Sequence, residues 1–183
     1  MKTVSRSSEP PSAASEKDRA ALLHLYEACL QNAEELLEEA QLLLDAGHAA
    51  RAFALAYTGY EEVGKSQIVA DHLNDVASAK EFKKAFSDHK LKAAYLQRFL
   101  ALVTTQPNEA VVQYDGQSAK ALFEARKSAL YVDHSPDLTP VLPSAVVSAA
   151  MASEAIEAVQ GELYSIHFAE DLNGRIGTKG LFK

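Results

Sequence analysis

The sequence predicts an all-α protein, a bundle of about five helices. Apolar residues recur at three- and four-residue steps through long segments, and capping residues, glycines and prolines bound those segments. No alternating strand pattern, internal repeat, zinc-ligand spacing or phosphate-binding glycine loop interrupts them. The 183 residues, 48% of them apolar, make one domain with a core of ordinary size.

The first helix opens on a capping box, Ser15 with Asp18. It carries Leu22, Leu25, Tyr26, Cys29, Ala33, Leu36, Leu37, Ala40 and Leu43 to a stop at Gly47. Its run Glu34, Glu35, Glu38 and Glu39 reads as a solvated face. A second helix spans about Ala49 to Leu73 and is apolar on nearly every side, so it is the central helix, paired with the first as an antiparallel hairpin. The third starts at another capping box, Ser78 with Glu81. Its stripe is Phe82, Ala85, Phe86, Leu96, Phe99, Leu100 and Val103, up to Pro107-Asn108. After an Asp115-Gly116 turn, a fourth helix from about Gln117 to Tyr131 turns Ala119, Leu122, Phe123 and Leu130 inward. Past a loop with Pro136, Pro140 and Pro143, Ser144 caps a fifth reaching roughly Phe168. The expected organisation is a disordered tail over 1–14, a helical domain over 15–168 and a loose tail over 169–183.

Charge and cysteine usage narrow the class. The 25 acidic and 18 basic residues leave a formal charge of -7, which argues against a surface built to coat nucleic acid. The single cysteine, Cys29, excludes an internal disulfide and sits on an apolar stripe, as a packing residue does. No apolar run approaches the about 20 residues of a membrane span, and MKTVSRSSEPPSAAS lacks an export segment. A soluble, cytoplasmic protein is expected.

The exceptions to the apolar pattern carry the functional signal. Glu61, Glu62 and Lys65 interrupt the central helix, with Glu61 and Lys65 on the line of Ala54 and His72. His89 falls in the middle of the third helix's stripe with Lys92 near its edge, and Arg126 at the centre of the fourth helix's inward face. Buried charges need partners, and an ordinary bundle fills such positions with Leu and Ala. A structural ion-pair network that fixes helix register accounts for any one of these residues. The set together offers acid, imidazole and guanidinium, which is what acid-base chemistry with anion stabilisation uses. No metal or cofactor is expected: adjacent glutamates point about 100° apart on a helix, and there is no Glu-x-x-His pair.

Glu61-Glu62-Val63-Gly64-Lys65, His89-Lys90-Leu91-Lys92 and the Arg126 to Asp133 stretch RKSALYVD, in this order and spacing, resemble the AbiV family of bacterial abortive-infection proteins, a branch of the HEPN helical superfamily. The resemblance runs from about residue 18 to 168. It implies a HEPN-like bundle, an antiphage role exercised by shutting down functions such as translation, and homodimerisation, since HEPN domains commonly pair two copies of a polar motif at their interface. Many HEPN proteins are metal-independent ribonucleases, with an arginine, a polar residue after it, and a histidine separated from the arginine by four to six residues. Arg126 and Lys127 match the first two positions. Tyr131 stands at the four-residue spacing, and His134 follows with seven residues between. A tyrosine with a solution pKa near 10 is a poor general base at neutral pH, so the imidazole must come from His89 or His134.

Two functions follow. In one, the protein cleaves RNA: Arg126, with Lys65 or Lys92, holds the scissile phosphate, His89 transfers protons, and Glu61 orients a basic partner. In the other, it is a non-catalytic module that contacts a phage protein or the translation machinery.

Overall fold

A computed structural model describes residues 16–89, 91–92 and 124–173, with side chains through 168. The proposed N-terminal tail and Ser15 cap, the stripe from Leu96 to Val103, the Pro107 stop, the Asp115-Gly116 turn, the inward positions 119, 122 and 123, and the final ten residues lie outside these. The described chain is helical apart from one small hairpin, so the all-α class holds.

Helix α1 (Glu16–Asp45) and helix α2 (Ala49–Leu73) form the expected antiparallel hairpin. Gly47 takes φ +81, a conformation that favours glycine. Its amide and that of His48 donate back to the carbonyls of Leu44 and Leu43, which ends α1 and reverses the chain. Two contacts give the antiparallel register. Arg19 at the start of α1 donates to the carbonyl of Leu73 at 3.1 Å, and Gly59 midway along α2 faces the backbone of Ala33.

Helix α3 (Ala79–Ser87) begins at the predicted capping box: the Ser78 hydroxyl accepts from the Glu81 amide, and the Glu81 carboxylate accepts from the Ser78 amide. Phe82 stacks on His72 at 4.8 Å between ring centroids, pinning α3 to the end of α2. The predicted third helix is not continuous. Asp88 takes φ -97 and ψ 112, and its side chain then accepts from the Leu91 amide, so it closes α3 and caps the helical turn that follows.

The segment 124–130 is helical. It leads into β1 (Asp133–His134), which pairs antiparallel with β2 (Pro140–Val141) inside the proline-punctuated loop. The fifth helix also departs from expectation. Pro143 opens a single turn, α4 (Pro143–Val146), and after Val147 the long helix α5 (Ala149–Asn173) starts, with the Ser148 hydroxyl, not that of Ser144, accepting from the Met151 amide. It runs on to Asn173, past the expected end at Phe168.

Helix α5 runs parallel to α2 and antiparallel to α1. Ala152 packs with Phe53 and Val159 lies over Gly59, while His167 reaches Glu34. The main core joins Tyr26, Leu30 and Leu37 of α1, Val63 and Val69 of α2, and Ile156, Val159 and Ile166 of α5. α2 is enclosed on almost all sides, which makes it central as its composition requires. The acidic run of α1 is solvated, and Cys29 is buried, its thiol pushed up to about 11 mainly by desolvation, as suits a packing residue. Among the described residues no helix is long and apolar enough to cross a membrane.

Candidate functional site

Glu61 lies in the buried middle of α2, its side chain 4% exposed. A carboxylate there is expensive unless hydrogen-bonded or paired. It is supplied from two other segments: His89 Nδ1 stands 3.0 Å from both carboxylate oxygens, and an Arg126 guanidinium nitrogen lies 3.8 Å from Oε1. With the carboxylate as acceptor, Nδ1 carries the ring hydrogen. Arg126 also rests over the Tyr57 ring, 5.7 Å from its centroid, so one turn of α2 supplies both a carboxylate and an aromatic face to the same guanidinium. Its Nε is buried without a hydrogen-bond partner among the described residues.

The kink at Asp88 sets His89. It begins a new helical turn directed across α2, and Gly64 permits the crossing, because a Cβ built there would collide with the carbonyl oxygen of Lys92. Only glycine lets the two backbones approach this closely. Lys92 is buried beside the cluster. Desolvation first, then the neighbouring Lys65, holds its ammonium below the usual lysine range, while Glu61 and Glu62 oppose that shift. Lys65 pairs with Glu62 three residues earlier and extends over the Phe86 ring. The cluster therefore sets Arg126, Lys65 and Lys92 against Glu61 and Glu62, with His89 between, a balance that suits an anion. Among the described residues, no group of three His, Cys, Asp or Glu is placed to hold a metal ion.

Glu61, His89 and Arg126, expected from three segments, are thus brought together with Lys65 and Lys92 around them. Three details differ. His89 is 51% exposed and stands at the mouth of the cluster instead of inside it, because the break at Asp88 re-aims it. Tyr131 follows the end of the 124–130 helix and is 67% exposed, so it does not share the buried setting of Arg126. Leu130 is exposed and Ala129 buried, which places the small residues Ala125 and Ala129 against α2 in place of the larger inward face expected. His134, in β1, is exposed and its ring turns to the Ser135 carbonyl.

Sequence reasoning missed Tyr57 and Glu162. Tyr57 lies one turn before Glu61, and its hydroxyl, pushed up to about 12 chiefly by burial, has no hydrogen-bond partner among the described residues. Glu162 of α5 is 2% exposed. Its signal was present, since it continues the line of Ala155, Val159 and Ile166, where the pattern calls for an apolar side chain.

A helical bundle that gathers carboxylate, imidazole and guanidinium from separate segments has the makings of a HEPN-type domain. The AbiV model of that group matches residues 21–162, most of the chain, and the protein belongs to the AbiV family of abortive-infection proteins. Comparison with curated proteins and with solved structures returns no match.

Proposed function

We propose that this chain is an antiphage abortive-infection effector that cleaves RNA without a metal at the Glu61, His89 and Arg126 cluster. The observation that carries the reading is a half-exposed imidazole whose Nδ1 is held by a buried carboxylate. That arrangement fixes the tautomer and leaves Nε2 as the basic nitrogen. His89 takes the proton from a ribose 2′-hydroxyl, and the oxygen attacks the adjacent phosphorus. Arg126 faces the charge that grows on the phosphoryl oxygens. The departing 5′-oxygen takes a proton from water, while Lys92, buried beside the cluster, adds to its positive charge. The products are a 2′,3′-cyclic phosphate and a 5′-hydroxyl. The excess of cations over carboxylates supports a local anion site despite the chain's overall charge of -7.

The active form is a homodimer in the cytoplasm. Leu42 on α1 and Met151, Tyr164 and Phe168 on α5 are exposed apolar residues that support pairing, whereas α2 is enclosed by its own bundle.

A second reading, a non-catalytic module that contacts a phage protein or the translation machinery, is favoured by one observation: Arg126 is mostly buried and already faces Glu61, as a structural ion pair would be. Phage plating separates the two. Folded His89→Gln and Arg126→Gln proteins lose protection if the cluster is catalytic. Protection that persists in both overturns the ribonuclease reading.

A further inference from the structure

Helices α2 and α5 do not close on each other along their whole length. Between them lies a cavity of about 400 Å3, walled by Phe53, Tyr57, Tyr60, Ala158, Glu162 and Ser165 among others. The wall is mainly apolar and aromatic. Two polar atoms in its lining residues are nevertheless buried without a hydrogen-bond partner among the described residues, the Tyr57 hydroxyl and Oε2 of Glu162. Orphaned buried polar atoms are rare in folded proteins and mark places where something is missing. Core packing gives no reason for a carboxyl here, since the same stripe is otherwise filled by Val159, Leu163 and Ile166.

The lining states what fits. A carboxyl at the back of an aromatic slot accepts N–H donors and attracts positive charge, tyrosine and phenylalanine faces hold flat rings and cations, and Glu157 adds a second carboxylate that repels anions. We propose that this cavity binds a small organic cation with a flat apolar body, an aryl amine or amidine, whose charged head pairs with Glu162 and reaches the Tyr57 hydroxyl. The occupant packs against Tyr57, the same residue whose ring lies beneath Arg126. This site is separate from the proposed chemistry and stands whether or not the protein cleaves RNA.

Burial pushes the Glu162 carboxyl up to about 7. The other titratable groups lining the cavity are Tyr57 and Tyr60 on α2, both pushed further up by burial, and Glu157 on α5. Ion pairing with a cation therefore strengthens as pH rises through 7, when Glu162 ionises, and the Gln variant separates its contribution from that of Glu157.

The test is calorimetric titration of the full chain with benzamidine, beside benzamide as the neutral isostere. Benzamidine is expected to bind with a Kd on the order of 1 mM or tighter, and benzamide about tenfold or more weaker. Two variants localise the site. Glu162→Gln keeps the shape and removes the charge, and Ala158→Phe fills the cavity from an exposed position while keeping the carboxyl. Ala158→Phe should lose benzamidine binding, and in Glu162→Gln it should weaken about tenfold, to the level of benzamide, with its pH dependence gone. Should Glu162→Gln fail to fold, Ala158→Phe and the wild-type pH profile decide. Equal binding of the two probes, binding that survives Ala158→Phe, binding indifferent to pH, or no benzamidine binding at about 10 mM overturns the proposal.

Discussion

His89 and Glu61, twenty-eight residues apart in the chain, meet with Nδ1 at 3.0 Å from both carboxylate oxygens, one residue half-exposed and the other buried. The pairing joins solvent to the centre of the bundle, and Arg126 completes it from a third segment at 3.8 Å. Removing one member leaves another charge unpaired at a partly buried site.

Glu61→Gln and Arg126→Gln should therefore be less damaging together than the sum of the two alone. A fully buried pair broken on one side costs about 3 to 5 kcal/mol. Arg126 is 23% exposed and its contact is long, so a coupling of about 0.5 to 1.5 kcal/mol is expected. Denaturant unfolding of the double-mutant cycle measures it. Strict additivity would mean that the residues are neighbours without being partners.

Gly64→Ala should lower stability by about 1 to 3 kcal/mol, although alanine is the better helix former by about 1 kcal/mol. The obstacle is the Lys92 carbonyl, a backbone atom that no rotamer change can move. The substitution should also shift the turn carrying His89, and so weaken the Glu61 contact. A variant as stable as the wild type would show that the helix crossing is looser than the structure has it.

Much of this architecture is legible in the sequence because it is local. Gly47, the Ser78 to Glu81 capping box and the alanine-rich composition of α2 mark the hairpin and the start of α3 without reference to anything distant. The break at Asp88 is not legible, since Phe82, Ala85, Phe86, His89 and Lys92 keep helical spacing straight across it. What breaks the helix is one aspartate capping in both directions beside a glycine-mediated crossing, a tertiary event. The start of the last helix is misread for a similar reason: Ser144 and Ser148 are both plausible caps, and only the Pro143 turn and Val147, buried against Phe53, decide between them. The participants Glu61, His89 and Arg126 are readable as polar intrusions on apolar faces. The exposure of His89 is not, because it depends on that kink.

Glu162 gives a pH signature with a definite sign. Its carboxyl is pushed up to about 7 in the folded protein by burial, whereas in the unfolded chain a glutamate titrates near 4.3. Between those values the unfolded chain has released the proton and the folded protein holds it, so stability falls as pH rises from about 4.3 to about 7 and is level above. The loss is on the order of 3 kcal/mol. Glu162→Gln, which cannot ionise, should be more stable than the wild type at pH 8 and gain almost nothing at about pH 4, below both pKa values. Melting curves at the two pH values check this, and a difference independent of pH would show that the carboxyl is solvated.

The most direct measurement of the central claim is RNA cleavage by the purified protein in excess chelator, with the product ends analysed. Cleavage by the wild type is expected, leaving 2′,3′-cyclic phosphate and 5′-hydroxyl ends. Folded His89→Gln should be slower by about 10²- to 10⁴-fold, the usual contribution of a positioned acid-base group, and Arg126→Gln should lose activity to a comparable extent. No cleavage by the wild type, or undiminished cleavage by either folded variant, would contradict a catalytic role for the cluster.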